Sequence, residues 1–166
     1  MAATTIEFPG GDSWSLYFHD PADSSWSPDS YKKIGSFTDF ASLWSTFYHI
    51  GYDRMSDGMY FMMRDPFPPL WENKVNIRGG TYCLKVPDAR ALGTYDHCIA
   101  AAILGCLTKS ATNKIVGISI SPKKSFHIIK VWNNDCKTHK NPDDLVSIPS
   151  VDSKTIIYRP HVDQKF

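Results

Sequence analysis

The sequence predicts an α+β domain built on an antiparallel sheet, and three observations carry that expectation. The strands are short and several are joined by hairpin-like turns rather than long crossovers. Two stretches with helical spacing are interleaved among them, too few for a doubly wound sheet. The length, 166 residues, suits one domain of ordinary size with a substantial core.

Residues 1–13 read as a flexible N-terminal lead, in which Phe8-Pro9 is the part suited to docking. A single domain is expected over 14–166. Trp14–His19 alternates bulky residues and reads as a strand, followed by a polar loop, DPADSSWSPDS, that holds Trp26 alone. Tyr31–Phe37 is a second short strand. Thr38 or Asp39 can cap a helix to Ile50, whose apolar stripe is Phe40, Leu43, Trp44, Phe47 and Ile50. GYDRMSDG reads as turn material, and Met59–Arg64 as the next strand.

The stretch Asp65–Val86 organises the rest. Three prolines in DPFPP stiffen an exposed loop that presents Trp71 with Glu72 directly after it. Gly79-Gly80 then turns the chain into a half-buried strand marked by Tyr82, Leu84 and Val86. An indole face beside a carboxylate suits a flat cationic ring with N–H donors: the carboxylate accepts from the ring and the indole attracts the charge.

A helix is expected from Thr94 to Lys109, smooth where Ala100, Ala101, Ala102 and Gly105 lie. Asn113–Ile120 and Phe126–Asn133 form a hairpin that ends in Trp132, with Lys123 and Lys124 at its tip and Lys130 further along. Asn141-Pro142 starts a helical turn, Thr155–Tyr158 is a last strand, and RPHVDQKF is a tail.

Composition narrows the function. A formal charge of +1 argues against a general nucleic-acid coat but leaves recognition of one nucleotide open. MAATTIEFPGG lacks the apolar core of a secretory signal, and no window is suited to spanning a membrane. The four cysteines show no C-x-x-C pairing, which points to a reducing, cytoplasmic home, with the nucleus also open. No P-loop, G-x-G-x-x-G, H-E-x-x-H or G-x-S-x-G motif is present, and the six histidines lack metal-ligand spacing. The expectation is a binding protein without catalysis, metal or cofactor.

The segments W-x-L-x-F, a lone loop Trp, F-x-x-F-x-x-L-W-x-x-F-Y-H-I, P-x-W-E-x-x-x-N-x-R-G-G-x-Y and a hairpin ending I-x-V-W resemble, in that order, the eukaryotic translation initiation factor 4E family. The resemblance runs from about Phe8 to Asp163. It implies a curved, cupped antiparallel sheet with about three helices on its convex face. It also implies a concave slot for the 7-methylguanosine cap of messenger RNA. By that resemblance, the cap base lies between Trp26 and Trp71. Glu72 accepts from N1–H and the exocyclic amine, the Trp71 N–H meets O6, and Trp132 meets the N7-methyl group. Lys123, Lys124, Lys130 and Arg78 are the implied phosphate contacts. Thr81, Ser125 and Ile128 stand at positions usually basic in the family. His161 resembles a histidine near the second nucleotide.

On the convex face, Phe8, Pro9, Phe40, Trp44, Ile99 and Leu104 match positions that dock a Tyr-x-x-x-x-Leu-Φ helix. Such a helix belongs to a scaffold initiation factor 4G-like protein or a 4E-binding repressor. Ile99 replaces a tryptophan there and Ala101 an acid. Beside the initiation role stand two other readings, a cap-binding repressor or cap-sequestering competitor and a carbohydrate-binding module.

Overall fold

The computed structural model describes residues 5–162; residues 1–4 of the expected lead and 163–166 of the tail lie outside them. Seven strands form one antiparallel sheet in the order β2-β1-β3-β5-β6-β4-β7. They are β1 Trp14–His19, β2 Lys32–Phe37, β3 Met59–Arg64, β4 Gly80–Pro87, β5 Ile115–Pro122, β6 Phe126–Asn133 and β7 Ile157–Pro160. Three helices complete the fold: α1 Phe40–Ile50, α2 Tyr52–Asp57 and α3 Ala91–Ile103.

Period-two alternation divides the sheet into two apolar faces. Trp14, Leu16, Tyr82, Leu84, Val86, Ile118, Ile129 and Val131 turn toward the helices and build the main core with Leu43, Phe47, Tyr95 and Ile99. Phe61, Met63, Val116 and Trp132 form a separate small cluster on the opposite, concave face, with Tyr17, Tyr31, Met59 and Phe67 packed against it.

Helix boundaries follow their caps. Asp39 accepts from the Ser42 backbone N–H at 2.7 Å, so α1 starts where its stripe begins. The second helix, α2, replaces the expected turn; its six residues bury only Met55, too little for a periodic signal. Helix α3 begins and ends earlier than the spacing suggests. Gly105 takes φ +72°, and the N–H groups of Gly105 and Cys106 return to the carbonyls of Ala102 and Ala101. This is a Schellman stop, which a sequence reading takes for one more small helix residue. Strand β7 is displaced by two residues because Ser153–Thr155 forms a 3-10 turn capped by Asp152.

The expected lead is tied to the domain from Ile6 onward, whose carbonyl accepts from the Phe40 N–H at 3.0 Å. Phe8 donates its N–H to Thr38, and its ring is buried at 4.9 Å from Phe40. Asp12 forms an ion pair with Arg64.

Candidate functional site

The concave face holds a cavity of about 220 Å³ that brings together Trp26, Trp71, Glu72 and Trp132, four residues from three separate segments. Tyr31 and Phe61 line it as well.

Trp26 enters from the β1–β2 loop. One indole face lies on the His19 ring, 4.1 Å between centroids and 7° from parallel, and the side chain remains 51% exposed. His19 is buried, with Nε2 donating to the Ser25 carbonyl at 2.8 Å. Trp26 also borders the cavity.

Trp71 and Glu72 sit on the proline loop after β3. Asp65 anchors its start by accepting from the hydroxyls of Ser13 at 2.5 Å and Ser15 at 2.7 Å. The buried Asn76 closes it: its amide donates to the carbonyls of Pro68 at 2.7 Å and Leu70 at 2.9 Å. Trp71 is left 52% exposed and Glu72 is exposed. Burial first, and then the Glu72 charge, push the Tyr31 phenol up to about 12, so Tyr31 stays a neutral wall.

Trp132 forms the back. It is buried, donates Nε1–H to the Ser119 hydroxyl at 3.1 Å, and meets the edges of Phe61 and His161. The indole plane is therefore fixed before any ligand arrives.

A second cavity of about 580 Å³ continues from the first, sharing Trp26, Met59, Ser121 and Lys130. Lys85, Lys123, Lys130 and Arg159 rim it, no carboxylate among the described residues lines it, and Phe126, Ile128 and Ile157 make an apolar floor. Lys123 and Lys130, two of the implied phosphate contacts, border this second cavity. Lys124 and Arg78 border neither cavity; Arg78 is exposed, and its carbonyl accepts from the Cys136 N–H at 2.9 Å. Lys85 and Arg159 were missed. Alternation with Tyr82, Leu84 and Val86 already puts Lys85 on this face, whereas Arg159 fell outside the strand as first delimited.

His161, the implied contact near a second nucleotide, packs into the fold. It is half-buried with its edge on Trp132, its Nδ1 donates to the Asn76 carbonyl at 2.7 Å, and burial lowers its pKa. It braces the loop instead.

The convex face also departs from expectation. Phe8 and Ile99 are buried core residues, and so is Ala101. Pro9 and Leu104 are exposed, and Phe40 and Trp44 are half-buried with rings 6.3 Å apart. The half-buried Asp96 and Ala100 of α3 and the exposed Leu104 that caps it follow one another at helical spacing. An acid therefore does stand on this face. The Tyr52 hydroxyl donates to Asp96 at 3.2 Å, and burial raises its carboxyl to about 6.

Among the described residues, no group of three or more His, Cys, Asp or Glu is arranged to hold a metal ion. No helix among them is long and apolar enough to cross a membrane.

The Eukaryotic initiation factor 4E family matches residues 11–165. Eukaryotic translation initiation factor 4E of Dictyostelium discoideum is 28% identical over 170 residues, covering 95% of this chain and 66% of that protein. Factor 4E-1A of Danio rerio is 24% identical over 163 residues, covering 95% of this chain and 74% of its own length. The chain thus spans about two thirds to three quarters of these relatives. Among solved structures, Ascaris suum eIF4E-3 with m7G cap is similar at a TM-score of 0.68 and 20% identity, covering 81% of this chain and 77% of that one. The complex of C. elegans eIF4E-3 with the 4E-binding protein Mextli and cap analog gives 0.67 and 20%, covering 82% and 78%. These likenesses show the cupped sheet with helices behind it. With the family match running nearly end to end over that fold, the chain belongs to the eukaryotic initiation factor 4E family.

Proposed function

We propose that this protein binds the 7-methylguanosine 5′ cap of messenger RNA and recruits it for translation initiation in the cytoplasm through a scaffold factor. One observation carries the reading: two half-exposed indoles, an exposed carboxylate and a fixed third indole border the same cavity. Methylation at N7 makes guanine cationic. A cation–π contact with a desolvated indole is worth about 2 kcal/mol, and stacking adds about 1–3 kcal/mol per base. Glu72 supplies a charge-assisted acceptor for the Watson–Crick edge. The chemistry is recognition, with no bond made or broken.

The triphosphate follows into the second cavity, where Lys130 spans the two spaces and Lys123, Lys85 and Arg159 surround the continuation. On the other side of the sheet, Pro9, Phe40, Trp44 and Leu104 offer an apolar anchor site for a partner helix, with Asp96 beside it for a basic residue. The relatives solved with a cap and with a 4E-binding protein support both halves of this reading.

Retention on 7-methyl-GTP resin tests it. Free cap analogue elutes the protein, while GTP is about a hundredfold weaker, a gap of ~2.7 kcal/mol. Equal elution by the two nucleotides overturns the reading.

A further inference from the structure

The ring packed on Trp26 is not itself part of the cavity lining. His19 is fully buried at the end of β1 and lies flat against the indole at 4.1 Å and 7°. Its Nε2 is committed to the Ser25 carbonyl, one residue before Trp26, so one side chain fixes both the backbone and the ring of this wall. Its Nδ1 is buried with no hydrogen-bond partner among the described residues.

We propose that His19 is the positioning residue of the Trp26 wall, and that only its neutral form supports full affinity for a cationic base. This rests on the cap reading above. Two physical effects give the sign. Protonation places a hydrogen on Nδ1, where no acceptor meets it. It also places a positive charge on one face of the indole while the ligand brings another to the opposite face. Both cations then draw on the same π cloud, and each stands one stacking distance from the ring. Binding and protonation therefore oppose one another, and by linkage the cationic ligand drives His19 toward neutrality.

Few other groups bear on the imidazole. Tyr31 faces it at 5.0 Å from the start of the β2 segment and is neutral. Met59, its register partner on β3, carries no charge. Asp23, in the same loop as Trp26, accepts from the Ser25 N–H at 2.8 Å, and its carboxylate also interacts with His19, an attraction for the imidazolium that works against the ligand's charge; Lys32 lies beyond it with Nζ donating to the Asp29 carbonyl. Glu72 acts on Tyr31 across the cavity.

The test measures the Kd for 7-methyl-GTP at pH 7.5 and pH 5.5 in the wild type, His19→Phe and His19→Ala. His19→Phe keeps a ring behind Trp26 and removes the titratable nitrogen; His19→Ala removes both. At pH 7.5 His19→Ala weakens binding about tenfold, and His19→Phe recovers most of that loss. Between the two pH values the wild type loses about five- to tenfold more affinity than His19→Phe. Titration of groups elsewhere in the protein and in the nucleotide is common to both proteins and cancels in that ratio. Equal losses in the wild type and His19→Phe overturn the charge claim. Wild-type affinity in His19→Ala overturns the positioning claim. Failure of the wild type to bind 7-methyl-GTP even at pH 7.5 instead removes the cap reading, and this proposal with it.

Discussion

The indole nitrogen of Trp132 donates to the hydroxyl of Ser119 at 3.1 Å, across the β5–β6 pair at the back of the slot. Both residues are buried at the base of the slot, and the serine hydroxyl is the acceptor of the indole N–H. Ser119→Ala leaves a buried N–H without an acceptor and costs about 1–3 kcal/mol of stability. Urea denaturation measures this, and Ser119→Thr, which keeps a hydroxyl, shows a smaller loss.

The two flanking indoles behave differently because they are half-exposed. Trp26→Ala and Trp71→Ala each remove about 1–3 kcal/mol of ligand binding while leaving the melting temperature within a few degrees. Glu72→Gln exchanges half of the acceptor pair for a donor and costs about 1–3 kcal/mol of discrimination. Calorimetric titration with 7-methyl-GTP checks all three, and unchanged affinity in Glu72→Gln removes that carboxylate from the site.

Lys130 reaches both cavities, and its charge is felt by His161. Lys130→Ala therefore weakens 7-methyl-GTP more than 7-methylguanosine, and the difference shrinks as salt is raised. Arg159→Ala acts on the second cavity alone. Titrations of nucleoside and triphosphate at two ionic strengths separate the two cations.

On the convex face, Trp44→Ala abolishes capture of a Tyr-x-x-x-x-Leu-Φ peptide and leaves retention on cap resin intact. Trp44 is half-buried against Phe40 and Phe47, so the variant stays folded at a cost of about 2 kcal/mol. A protein that unfolds instead makes Trp44 a core residue.

Asp96 gives the pH prediction. Burial raises its folded-state carboxyl from 3.8 to about 6, so the folded chain holds this proton more tightly than the unfolded one. Its favourable contribution is full below the ordinary value and is lost as pH rises through about 6. Asp96→Asn is therefore more stable than the wild type at pH 7.5, by about 1 kcal/mol once solvent screening is allowed for. The gain disappears near pH 4, and thermal melts at the two pH values measure it.

Much of the site was legible in the sequence because its parts are local. A rigid proline loop, an indole with an adjacent acid, and a hairpin ending in tryptophan are each short-range signals. What was hidden depended on contacts between distant segments. Nothing near Asn76 announces that it holds Pro68 and Leu70, and His161 reads as a ligand residue until its bond to the Asn76 carbonyl is seen. Ile99 and Phe8 look like surface anchors by position, but the sheet takes both into the core. Arg159 was lost to a two-residue error in β7, since period-two geometry makes the boundary decide which face a side chain joins.

The pairing of β7 with β4, and of His161 with Asn76, has a consequence for truncation. The aromatic walls of the cavity, Trp26 to Trp132, precede in the chain the strand that steadies their loop, and domains fold as units. A chain truncated after Asn133 carries every one of those walls but lacks the β7 pairing and the His161–Asn76 bond, so its proline loop loses a tether.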